Sequence, residues 1–400
     1  KSFAYLVPAI ERVVAKHERV VVVTNTIALQ EQLMDRDIPF LNSVLPARCK
    51  PTLVKGRRNY LSRRRLALAL HREQKLTQGE AARRSLHDID AWARTTTDGT
   101  LATLPVLDRQ SVWDLAKSDS GNCLGRRCPT YDSCFFQNAR REMDRSDLLV
   151  CNHALFFSDL ALRIVGASLL PRYDHVIFDE AHAIEDVAAE HFGLTVSEGG
   201  VEHLLNLLWQ RRHRKGMLSV LLNNELAGSL VAECIQAVES ARAASESFFS
   251  MLLSWHREHG ASNGRVQKPG IISNPLTPAM EALSKGLDLL KARLGDEADV
   301  AELGGYAERA ADIGLGVARL LGQDVPGGVY WIDGTTPMKD AAGRTRGPRP
   351  SLRCMVVEVA PLLRDHLFRS GTSIIMTSAT LATTESSEEG VDTSTTGFNH

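Results

Sequence analysis

No apolar run in the 400-residue chain approaches the ~20 residues that a membrane-spanning helix needs, and no signal-peptide pattern opens it. Charge of one sign is also missing. The net value is −1, so any contact with a polyanion must come from local basic patches and not from a globally basic surface. Seven cysteines, an odd number in so long a chain, exclude a secreted disulfide framework and fit a reducing compartment. The expectation is a soluble cytoplasmic protein with no membrane partner. There is no internal repeat. With 44% hydrophobic residues, the chain can bury a large core and form two or three domains.

The most informative stretch is His175-Val176-Ile177-Phe178-Asp179-Glu180-Ala181-His182. Three consecutive apolar residues read as the end of a buried parallel strand, with two carboxylates at its carboxyl edge, where ligands of open α/β sheets collect. Phosphoryl transfer needs one carboxylate on a magnesium ion and a second group on the attacking water. Asp179 and Glu180 suit those roles; alone, the pair would read as a solvated acidic turn. Arg19–Thr24 is a second buried strand by its β-branched run. Lys1-Ser2, followed by an apolar helical pattern, matches the last two residues of a phosphate-binding loop and its helix.

Thr24-Asn25-Thr26 caps a helix, and its hydroxyl and amide groups can hold a backbone phosphate. Between Lys55 and Arg65 stand six basic residues with one aromatic, Tyr60, the composition that binds single strands; a solvated basic helix face is the alternative. Cys123, Cys128 and Cys134 form a C-x4-C-x5-C run in a Gly/Pro-containing loop, a thiol density that suits a metal or an iron–sulfur cluster better than plain packing. Cys151, Cys234 and Cys354 lie among core-like residues. From residue 191 to 325 leucines recur at helical spacing, which predicts an all-helical insertion. Strand signals return at Val329–Ile332, Arg353–Val359 and Ser373–Met376, the last running into Ser378-Ala379-Thr380.

In this order the segments resemble the DinG-like branch of the XPD-type iron–sulfur DNA helicases of superfamily two. Lys1-Ser2 is similar to the end of motif I, and Thr24-Asn25-Thr26 with Gln30 to motif Ia. Lys55-Gly56-Arg57-Arg58-Asn59-Tyr60-Leu61 and the cysteine run resemble the cluster domain. Asn152-His153-Ala154-Leu155-Phe156 resembles the segment ahead of motif II, Asp179-Glu180-Ala181-His182 is similar to motif II itself, and Ser378-Ala379-Thr380 to motif III.

The resemblance implies an α/β, RecA-like parallel sheet of the P-loop NTPase class with an iron–sulfur-type insertion and a helical arch. Its divisions would be 1–50 and 146–190 for the first motor lobe, 51–145 for the cluster insertion, 191–325 for the arch, 326–381 for the rest of the lobe and 382–400 for a flexible tail. It implies a monomeric ATP-dependent helicase moving 5′ to 3′ on single-stranded DNA, in repair or replication, with ATP, Mg²⁺ and a 4Fe-4S cluster. Lys1 would contact the β/γ-phosphates, Ser2 and Asp179 would hold magnesium, Glu180 would activate water, and His182 would link the nucleotide to Ser378, Ala379 and Thr380. DNA would meet Thr24, Asn25, Thr26, Lys55, Arg57, Arg58 and Tyr60. Two departures stand out. Ser62 occupies the usual position of the first cluster cysteine, which leaves the fourth ligand to Ser62 or Cys49, or the cluster absent. The second motor lobe with its arginine finger is also expected to lie outside these 400 residues, so the chain alone should hydrolyse ATP negligibly. The competing function is a non-catalytic single-strand-binding module derived from such a helicase.

Overall fold

The computed structural model describes residues 1–222, 227–339 and 345–378. Two compact units emerge, one from Lys1–Gly56, Asn138–Phe192 and the segment from Val356 onward, the other from Arg57–Gln137 and Gly193–Met355. No helix among the described residues is long and apolar enough to cross a membrane.

The first unit is built on a five-stranded sheet. Its strands are β1 (Val20–Thr24), β2 (Pro51–Leu53), β3 (Leu148–Asn152), β4 (His175–Asp179) and β5 (Ser373–Thr377), in the order β5-β4-β1-β3-β2. Every pairing is parallel. Val20 to Val23 are essentially inaccessible, as expected for a central strand covered on both faces. Helix α1 (Ser2–Lys16) covers one face with Tyr5, Leu6, Ala9, Ile10 and Val13, which pack with Val20, Val22, Leu148 and Val150. Phe156, Phe157 and Phe178 pack together, with the Phe156 and Phe178 rings meeting edge to face at 5.0 Å. Registers Val23↔Phe178, Thr24↔Asn152 and Thr377↔Asp179 bring the strand ends level along one carboxyl edge. This is the RecA-like arrangement. Ser373–Thr377 stands at the edge of the described sheet.

The second unit is mainly helical. Its long helices are Gly228–His259, Leu276–Lys291 and Glu297–Gly322, and Leu276, Met280, Leu283, Leu287 and Leu290 form a buried stripe at helical spacing. It is not all-helical, however. A four-stranded sheet runs in the order Leu194–Ser197, Ser351–Val356, Gly328–Asp333, Arg265–Val266. The last two strands the sequence assigns to the motor lobe before residue 372 therefore lie in this sheet. The physical sign is their alternation: Leu352, Cys354 and Val356 are buried while their neighbours are half-exposed, the period-two pattern of a strand covered on one face.

Within this unit the helix Arg63–His71 is joined to Glu297–Gly322 by a buried ionic centre. Glu302 accepts two hydrogen bonds from Arg65, through Nε at 3.0 Å and Nη2 at 3.1 Å, one from Arg64 at 3.2 Å and one from the Asn122 amide at 3.2 Å. Nearby, the backbones of Gly121 and Gly305 approach so closely that a Cβ on Gly305 would lie 3.2 Å from the Gly121 carbonyl carbon.

Candidate nucleotide site and cysteine loop

At the carboxyl edge of the first unit the chain brings together residues from opposite ends of its sequence. Lys1 Nζ lies 2.7 Å from Asp179 Oδ1 and 2.8 Å from Glu180 Oε1. Asp179 also accepts from Tyr5 Oη at 2.9 Å and from Thr377 Oγ1 at 3.0 Å. Burial works against its charged form, but the hydrogen bonds from Lys1, Tyr5 and Thr377 outweigh it and hold the carboxyl below its ordinary range. Burial likewise opposes the charge on Lys1, and the two carboxylates override it and raise the ammonium's pKa. Burial first, then the charge of Asp179, pushes the Tyr5 phenol well up, so it stays a proton donor.

Glu180 has left-handed backbone angles, φ 56° and ψ 51°. For a non-glycine residue this conformation is uncommon and marks functional turns. It turns the chain immediately after the strand into the short helical turn Ala181–Ala183. His182 Nδ1 comes within 2.9 Å of Ser378 Oγ and 3.3 Å of Glu180 Oε2. Ala379 and Thr380, like the expected tail, lie outside the described residues.

Ser2 donates to Asp37 Oδ2 at 2.5 Å. Tyr5, Asp37 and Thr377 were not singled out as site residues in the sequence. Tyr5 was readable in principle, one helical turn after Ser2 on the face that meets the sheet. Of the motif Ia residues, Asn25 and Thr26 are exposed, and Thr26 Oγ1 caps the helix α2 (Ile27–Gln32) by accepting from the Leu29 N–H at 3.2 Å. Thr24 is fully buried and offers a strand no surface.

In the second unit the basic segment is largely consumed by its own fold. Arg64 and Arg65 are buried on Glu302, Arg57 lies over the Phe136 ring at 4.4 Å and donates to Ser118, and Arg58 is exposed beside Asp119 at 3.6 Å. Tyr60, expected to stack on a base, is 5% exposed and packs edge-on against Phe136. Lys55 is half-buried in the first unit.

Cys123, Cys128 and Cys134 line one small cleft, partly open to solvent, together with Ser62, Arg57 and Tyr131. The donor types are those of an iron–sulfur site, but the arrangement does not fit a four-cysteine cluster. Among the described residues no three His, Cys, Asp or Glu side chains are grouped to hold a metal ion. The Ser62 hydroxyl accepts from the Arg65 N–H as the cap of its helix. Cys49 is packed in the core of the first unit, where burial pushes its thiol up to about 11, the reverse of what a thiolate ligand needs.

A parallel sheet with a lysine, a serine and two acids gathered at its carboxyl edge, and with helical insertions, defines a RecA-like fold of the P-loop nucleotide-binding class. The chain is similar in sequence to bacterial proteins named as DinG and YoaA helicases. Over 202 residues, 49% of this chain and 30% of the relative, the chain is 37% identical to the ATP-dependent DNA helicase YoaA of Escherichia coli. The protein of the same name from Haemophilus influenzae is 28% identical over 347 residues, 84% of this chain and 49% of the relative. The ATP-dependent helicase DinG of Mycobacterium tuberculosis is 37% identical over 202 residues, 46% of this chain and 30% of the relative. The chain thus spans half the length of these relatives or less. No family model matches it.

Proposed function

We propose that this chain forms the first motor lobe of an ATP-dependent DNA helicase, with ATP hydrolysed at the carboxyl edge of its parallel sheet. The observation that carries this is Lys1 set against both Asp179 and Glu180 across 179 residues of sequence. Lys1 binds the β/γ-phosphates. Ser2 and Asp179 would hold a magnesium ion, which would supply charge neutralisation at the phosphates. Glu180 orients and deprotonates the attacking water, and its turned backbone aims the carboxylate beyond the strand end. The contact between His182 and Ser378 links this site to the segment Ser378-Ala379-Thr380. Asn25 and Thr26 contact single-stranded DNA, and Lys55, Arg57 and Arg58 supply cations for its phosphates. Translocation runs 5′ to 3′, in repair or replication within the cytoplasm, and needs a second lobe to supply the arginine that stabilises the transition state. The cysteine loop carries no step in this scheme.

The test is DNA-stimulated ATP turnover by the protein at its natural length. Glu180→Gln is expected to lower kcat by about 10²- to 10⁴-fold while nucleotide binding is kept. Unchanged turnover in that variant refutes the assignment. Single-strand binding by the unaltered protein without any ATP turnover favours the non-catalytic binding module instead.

A further inference from the structure

We infer that Asp37 is a positioning residue for the magnesium site, acting through the hydroxyl of Ser2. The inference rests on the proposed reading of Ser2 as a magnesium ligand.

Asp37 ends a single wide helical turn, Leu33–Asp37, inserted between α2 and the helix Ile38–Val44. Such an extra-residue turn costs regular hydrogen bonding and is found mostly where a side chain has to be re-aimed. Here it places a carboxylate, 7% exposed, beneath the amino terminus of α1. Its Oδ2 accepts from Ser2 Oγ at 2.5 Å and from Gln32 Nε2 at 3.1 Å, so Gln32 fixes the oxygen that receives the serine proton.

The chemistry follows from what a hydroxyl must do as a ligand. It binds a cation through an oxygen lone pair, and its proton has to point elsewhere. A carboxylate that takes that proton in a hydrogen bond orients the lone pairs outward and adds electron density to the oxygen. This is the way partners behind the direct ligands tune metal affinity. Tyr5, one turn along α1, does not compete for Asp37, because its own hydroxyl is committed to Asp179. Asp37 therefore acts on Ser2, and Tyr5 on Asp179.

The experiment measures binding of a fluorescent ATP analogue to the natural-length protein as Mg²⁺ is titrated, and again in EDTA, for Ser2→Ala, Asp37→Ala, Asp37→Asn and the Ser2→Ala/Asp37→Ala double variant. Asp37→Ala is expected to raise the Mg²⁺ concentration for half-saturation by about tenfold or more and to leave binding in EDTA unchanged. Asp37→Asn, which keeps the shape and one acceptor oxygen, should shift it less; it also serves if the alanine variant does not fold. The double variant should match Ser2→Ala alone. If Ser2→Ala shifts the Mg²⁺ dependence but neither Asp37 variant does, or if the two losses add, the role of Asp37 is overturned. If Ser2→Ala itself has no effect, the magnesium reading of Ser2 falls first.

Discussion

Replacing His153 by Phe should remove one identifiable source of acid sensitivity in the first unit. The imidazole is buried, stacks at 8° on Phe178 with ring centres 6.0 Å apart, and neither ring nitrogen has a hydrogen-bond partner among the described residues. Burial is the main reason its pKa falls from 6.5 to about 4, with Asp179 pulling the other way. The folded-state value is depressed, so between pH 6.5 and about 4 the unfolded chain binds the proton and the folded chain does not. Stability is therefore complete above 6.5 and declines as pH falls through this window. With 1.36 kcal/mol per pKa unit, the loss between pH 7 and pH 5 is about 2 kcal/mol, a roughly twentyfold change in the opening equilibrium. Because the chain has two compact units, the assay is amide hydrogen exchange at Val21, Val22, Leu149 and Val150, corrected for intrinsic rates. Protection in the unaltered protein should fall about twentyfold more over this range than in His153→Phe. The variant should also be at least as stable at pH 7, since it removes two buried polar atoms without partners. Equal pH dependence in the two proteins would refute the reasoning.

Three further outcomes test the second unit. Glu302→Ala strands the guanidinium groups of Arg64 and Arg65 away from water and should cost about 3–5 kcal/mol, read as an early unfolding step in urea. For the cysteine loop, anaerobically purified protein should contain less iron and sulfide than one four-iron cluster per chain. Ser62→Cys, which adds a fourth thiol to the cavity wall, should raise both. A full cluster in the unaltered protein would show that the thiols gather around iron despite their arrangement here.

The centre of the motor sheet was legible because its inner strands are buried on both faces and so read as unbroken β-branched or apolar runs, such as Val20–Val23; the short strand Pro51–Leu53 carries no such run. The acid pair was legible because a sheet's carboxyl edge is where such residues do chemistry. Val329–Ile332 and Arg353–Val359 were legible as strands but not by sheet. Only their alternating burial distinguishes a strand covered on one face from one covered on both. The basic segment shows the limit more sharply. Six cations in eleven residues look like a surface for phosphates until Glu302, 237 residues from Arg65, takes two of them inside. Cysteine spacing, likewise, says that thiols are close along the chain and nothing about whether their sulfurs converge. Asp37 escaped notice because its partner is a hydroxyl 35 residues earlier, and no local pattern announces a long-range bond between two side chains.

The centre formed by Arg64, Arg65, Asn122 and Glu302 also bears on how this protein can be taken apart. An excised piece ending before residue 297 would lose the carboxylate that Arg64 and Arg65 share, and the complementary piece would carry that carboxylate without either guanidinium. The cysteine-bearing loop and the helix Glu297–Gly322 thus share one ionic centre, and separating them breaks it.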